Sequence, residues 1–120
     1  MATIKISKAD DKPIKSLPVQ TLAFGDTDTT KNFTISGNGK VHTLIVELPN
    51  FTNDVTATVT VTDQNSYDIY AKASLAKNDK HVITGASGYI YLDGVSTVTI
   101  TLSGQPGGTG GNVKVKIAVE

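Results

Sequence analysis

The chain of 120 residues contains no cysteine, no arginine and no tryptophan, and its 11 lysines are matched by 11 acidic residues for a formal net charge of zero. Without cysteine there is no disulfide framework, no thiolate metal site and no cysteine nucleophile. Without arginine there is no flat bidentate fork for phosphate clamping or guanine readout, and lysine replaces it only as a point charge. A neutral chain also lacks the overall attraction that nonspecific nucleic-acid binding needs, so nucleic acid is not expected as a partner. Zero net charge leaves nothing to hold copies apart, and self-association is allowed. No apolar run approaches the ~18 residues that cross a bilayer, and the opening Met-Ala-Thr-Ile-Lys-Ile-Ser does not read as a secretory signal. The expectation is a chain made in the cytoplasm, without a membrane partner, that stays there or leaves within a particle.

What is present is alternation. Asp54 to Thr62 reads D-V-T-A-T-V-T-V-T, with Val55, Ala57, Val59 and Val61 on one side of an extended backbone and four threonines on the other. That is a strand with one dry and one wet face. Val98, Ile100 and Leu102 repeat the pattern, as do Val113, Val115, Ile117 and Val119. Strands are predicted near 2–7, 19–24, 31–36, 41–48, 54–62, 67–76, 80–84, 88–92, 96–102 and 112–119. In 67–76 the residues Tyr67, Ile69, Ala71, Ala73 and Leu75 alternate, although the alanines would also suit a short helix. Turn residues such as Gly37-Asn38-Gly39, Asp63-Gln64-Asn65 and Asp93-Gly94 fall between the runs. The fold class is therefore all-β: residues 1–120 form one antiparallel β-sandwich, Ig-like (Greek-key) or jelly-roll-like, or a small barrel, with the strand order left open. Residues 8–18, charged and carrying Pro13 and Pro18, read as an extended arm or long loop. Residues 103–111 read as a flexible glycine-rich loop that moves freely or lies flat against something.

Little sequence remains for chemistry. His42 and His81 are the two histidines; a nucleophilic triad would need one of them beside Ser74 or Ser87 and a carboxylate such as Asp79. The aspartates sit mostly at turns, where the side chain caps its own backbone rather than pairing across a cleft for glycoside hydrolysis. Asp26-Thr27-Asp28 offers oxygen ligands for calcium but no further acid at a recognised spacing. No catalytic residue, metal site or cofactor is assigned. Glu47 differs from the other acids: it follows Leu44-Ile45-Val46 as a charged strand residue, the first carboxylate to examine for a function or a subunit contact. Tyr89 and Tyr91 share one face of their strand and could present rings to a sugar.

A short cysteine-free β domain with Thr-Val strands, a proline-containing N-terminal arm and a glycine-rich loop before its last strand resembles the small accessory proteins of tailed bacteriophages, especially capsid decoration or cement proteins. The resemblance spans all 120 residues and is one of style, without a diagnostic motif. It implies a non-enzymatic virion protein that binds and strengthens the assembled shell, with the major capsid protein or other virion subunits as partners and with self-association. It places contacts on the arm and strand edges, at Lys12, Pro13, Ile14, Leu17 and Pro18, with Glu47, Tyr89 and Tyr91 as further candidates. A carbohydrate-binding or adhesion module, on a particle or a cell surface, is the alternative.

Overall fold

The computed structural model describes residues 2–6, 14–84 and 90–120. Among them are eleven strands: β1 (Thr3–Lys5), β2 (Lys15–Ser16), β3 (Gln20–Phe24), β4 (Thr30–Ser36), β5 (Gly39–Leu48), β6 (Thr56–Thr62), β7 (Asp68–Ala76), β8 (Asp79–Ile83), β9 (Tyr91–Leu92), β10 (Val95–Leu102) and β11 (Gly111–Val119). One sheet runs β1-β4-β10-β6-β7, and the other runs β2-β11-β5-β8, with β3 also on β11 and β9 also on β5. All pairings are antiparallel except β1 with β4, which is parallel. Taking the eight principal strands, β3-β11-β5-β8 faces β4-β10-β6-β7. That order is a jelly roll, two Greek keys folded into a double sheet, and it resolves the choice the sequence leaves open.

The rows expected to be dry are dry. Val55, Ala57, Val59 and Val61, then Val98, Ile100 and Leu102, then Val113, Val115, Ile117 and Val119 are all buried, and they meet between the sheets with Phe33, Ile35, Leu44 and Val46. At one end Phe24 and Phe51 close the core edge to face, with centroids 6.3 Å apart and planes at 72°.

Two irregularities break simple alternation. In β5, Thr43 pairs with Ala118 but Val41 pairs with Val119, so His42 is an extra residue. This bulge lets Val41 and Leu44, three apart in sequence, both turn inward. In β7, Leu75 lies opposite Ala57 and Lys72 opposite Val59, so Ala73 and Ser74 together span the single residue Thr58; Ile69 is a second extra residue between Tyr70 and Asp68. Ser74 takes up the first distortion with a φ of 62°. Residues 67–76 are thus a strand, as predicted, but the five alternating residues do not share one face: Leu75 is buried while Tyr67, Ala71 and Ala73 are exposed.

The segment expected to be an arm or long loop is described only from residue 14. There Lys15–Ser16 forms β2 against Ala118 and Val119, and the Leu17 N–H donates to the Ile117 carbonyl at 2.8 Å. Leu17 is buried with the core, so as a contact for a partner it is corrected: the backbone pairing to β11 turns its side chain between the sheets. The glycine-rich loop lies against the 51–53 segment. The Asn53 N–H donates to the Pro106 carbonyl at 2.8 Å, Asn53 Nδ2 donates to the Gln105 carbonyl at 2.9 Å, and the Gly107 N–H donates to the Asp26 carbonyl at 3.0 Å. Gly110, with φ of +72°, brings its Cα so close to the Phe24 carbonyl that a Cβ would collide with it. Lys77 Nζ clamps the same end, donating to the Phe51 and Asn53 carbonyls at 2.8 and 3.1 Å.

Candidate functional site

Because Val113, Val115 and Ile117 turn inward, Lys114 and Lys116 turn outward from β11. Register then sets their neighbours. Lys114 lies opposite Glu47 on β5, and Glu47 lies opposite Lys80 on β8. The adjacent row holds Lys116, Ile45 and Val82 in the same order. Directly opposed residues of antiparallel strands have Cβ atoms about 5 Å apart, and successive outward residues of one strand are about 7 Å apart. The outer face of this sheet therefore carries three ammonium groups around one carboxylate, with an aliphatic row beside them.

Val19, Ile45, Glu47, Lys80, Lys114 and Lys116 line a shallow depression of about 300 Å³. A second, of about 500 Å³, continues from Glu47 and Lys114 toward Pro49, Asn78 and Asn112. Val19 and Val82, on this outer face, are 51% and 56% exposed. Three lysines elsewhere are engaged: Lys31 pairs with Asp28 at 3.5 Å, Lys40 with Glu120 at 3.6 Å, and Lys77 serves the two carbonyls above. Glu47, Lys80, Lys114 and Lys116 form no salt bridge with one another or with other described residues. Their charges remain available to solvent or to a partner.

The histidines do not converge. His42 Nδ1 shares a hydrogen bond of 2.7 Å with Thr43 Oγ1. His81, inward on β8 opposite Val46, donates from Nε2 to the Ala76 carbonyl of β7 at 2.8 Å, tying the open edges of the two sheets together. Neither ring hydrogen-bonds to Ser74 or Asp79; Ser87 lies outside the described residues. The turn aspartates are occupied as caps: Asp63 Oδ1 accepts from the N–H groups of Asn65 and Tyr67, both at 2.9 Å, and Asp79 Oδ1 from that of Lys80 at 2.8 Å. Asp28 Oδ2 accepts from the Gly25 N–H at 2.8 Å, and that bond, with Lys31 beside it, holds the carboxyl below the usual aspartate range. Among the described residues no three acidic or histidine side chains cluster as metal ligands would.

Of the residues singled out from sequence, Glu47 stands at the centre of the charged row, and Ile14 and Pro18 are exposed on either side of β2, Pro18 immediately before Val19. Tyr91 is 68% exposed, on β9 beside Lys40. Lys12, Pro13 and Tyr89 lie outside the described residues. Tyr67 is 71% exposed next to the Asp63 turn, whereas Tyr70 packs against the core and burial pushes its phenol pKa up. The reading from sequence missed Lys80, Lys114 and Lys116. The signal was there in Lys-Val-Lys-Ile at 114–117, whose dry partners define which way the lysines point.

No family model and no curated protein matches the chain. Solved structures that it resembles include infectious bursal disease virus of the Gx strain, at TM-score 0.36 and 13% identity over 90% of this chain, and of the Gt strain, at 0.34 and 12% over 92%. A mutant VP2 protein of the same virus in T=1 particles is matched at 0.33 and 12% over 89%. The chain spans about a third of the length of each, 32%, 34% and 31% respectively.

Proposed function

We propose that this chain is a non-enzymatic structural protein of a virion, a decoration protein that binds the assembled capsid shell. The observation that carries the reading is the outer face of the β3-β11-β5-β8 sheet: a broad, shallow surface of unpaired lysines, one carboxylate and exposed valines. Such a surface suits many modest contacts repeated over a lattice, where avidity replaces a deep pocket. The small-protein jelly roll supplies rigidity, and a neutral chain can crowd on a shell without self-repulsion.

The test is co-sedimentation of the purified chain with empty shells assembled from candidate coat proteins, against the same coat proteins unassembled. Binding to shells with weak or no binding to free subunits is the expected result. Equal affinity for both would remove the lattice reading.

A second reading is favoured by Tyr67 and Tyr91, whose exposed rings both lie at the end of the sandwich where β7 begins and β5 begins. These rings could stack on the apolar face of a sugar. Glycan-array binding lost in both Tyr67→Ala and Tyr91→Ala supports it; signals unchanged by either substitution count against it.

A further inference from the structure

We propose that the outer face of the β3-β11-β5-β8 sheet is a docking site for an extended, acidic segment of a partner protein, held by Lys114, Lys116 and Lys80 and read by Glu47. The identification of that partner as a shell subunit rests on the function proposed above. The chemistry of the face stands on its own.

Charge is the first argument. Three lysines surround one glutamate, and none of the four is paired with a described residue, so the face has two positive charges in excess and no internal partner for them. Spacing is the second. Lys114 and Lys116 point the same way from one strand, about 7 Å apart, which is the distance between alternate carboxylates on an extended chain. A segment lying along β11 with acids at every second residue meets both ammonium groups at once. The methylene groups of those acidic side chains pass over Ile45, Val19 and Val82, which bring apolar area where a polar sheet face would have threonine, and the intervening side chains face away from the sheet.

Other polyanions fit worse. Glu47 sits midway between Lys114 and Lys80 in the same row, so a continuous run of phosphates or sulfates crossing from one lysine to the other passes over a negative charge. A peptide does not have this difficulty, because its backbone N–H groups can donate to Glu47 while its carboxylates take the lysines. The absence of arginine weakens phosphate clamping further. None of the residues lining the depression is aromatic, so the face offers no ring for a sugar.

The probe is a fluorescein-labelled synthetic peptide of alternating glutamate and valine or threonine, followed by fluorescence anisotropy at low salt. The full chain is expected to bind it, with affinity falling as salt rises. Lys114→Glu with Lys116→Glu should weaken binding about tenfold or more, from two lost exposed ion pairs replaced by repulsion. Lys5→Glu with Lys72→Glu makes the same change in net charge on the other sheet and should leave binding as it was. Glu47→Gln should tighten the acidic peptide and, if the face discriminates as argued, should for the first time allow heparin to compete. All of these side chains lie on the surface, and a thermal melt of each variant checks the fold. No binding of the peptide by the unaltered chain, equal losses in the two lysine pairs, or heparin competing equally well before and after Glu47→Gln would each overturn the proposal.

The same variants in the shell assay separate the two ideas. If the unaltered chain fails to bind shells while the peptide result holds, the decoration role falls and the acidic-segment site stands. If the peptide result holds but shells bind the Lys114→Glu, Lys116→Glu protein as well as the unaltered one, the acidic-segment site stands but the shell is not its partner, and the decoration role needs another surface.

Discussion

Ser96 gives the sharpest test of the core. It occupies an inward position of β10, two residues before Val98 and opposite Ile35, is 0% exposed, and its hydroxyl has no hydrogen-bond partner among the described residues. Burying a hydroxyl without a partner costs roughly 1–3 kcal/mol. Ser96→Ala removes that cost and leaves a void of about one oxygen atom, worth a few tenths of a kcal/mol at ~24 cal/mol per Å³. The net expectation is stabilisation by about 1 kcal/mol. In urea unfolding this appears as a midpoint raised by about 0.5 M with an unchanged slope, and in a thermal scan as a gain of about 4 °C. Ser96→Val, which puts a methyl group where the hydroxyl sat and adds a second, should give back part of the gain through overpacking. Loss of 1 kcal/mol or more in Ser96→Ala, with the slope unchanged, would show that the hydroxyl is satisfied by a bound water and would refute the reasoning.

Further outcomes follow from other sites. Ile100→Ala, at the buried centre of β10, should cost about 2–5 kcal/mol in the same urea assay, a large fraction of a domain's total stability. Gly110→Ala forces an ordinary residue into a φ of +72° against the Phe24 carbonyl and should lower stability by more than about 1 kcal/mol, with the loss read from thermal melts. His81→Leu removes the bond across the sheet edges and should cost about 1 kcal/mol, with faster amide exchange in β7 and β8 as the local signature. Asp28 has its carboxyl pKa lowered in the folded protein by the Gly25 N–H and then Lys31, so its stabilising contribution is fully present above the unfolded aspartate pKa and is lost as pH falls through the folded one. An NMR titration should place its midpoint below that of an ordinary aspartate, and the stability difference between the native chain and Asp28→Ala should shrink on acidification.

The sequence carried the strands because aliphatic residues recur at period two, alternating with threonine in Val55 to Val61 and mostly with lysine in Val113 to Val119, which leaves no other way to bury them. It did not carry the strand order, since β11 meets β3 and β5 across nearly the whole chain and no local pattern records such pairings. Leu17 escaped for a related reason. Lys15, Ser16 and Pro18 around it give no alternation, and only the two-residue pairing of β2 with the end of β11 shows that it belongs to the core. In β7 the alternation was real in letters but not in space, because two extra residues shift the register between Asp68 and Leu75. Glu47 was visible as a charged residue in an aliphatic strand. The lysines that flank it come from strands more than thirty residues further along the chain, so the row exists only after folding.

The kinks in β7 bear on how this molecule behaves when crowded. An outermost strand offers a free row of backbone donors and acceptors to any neighbour, and a neutral protein has no electrostatic barrier to such zippering. Two interruptions within nine residues, one fixed by a left-handed serine, deny an incoming strand any long matching run, and Lys72 sets a solvated ammonium in the stretch between them. Irregular geometry thus opposes edge pairing where net charge does so in other proteins, and deleting Ile69 and Ser74 would offer a neighbour a longer matching edge.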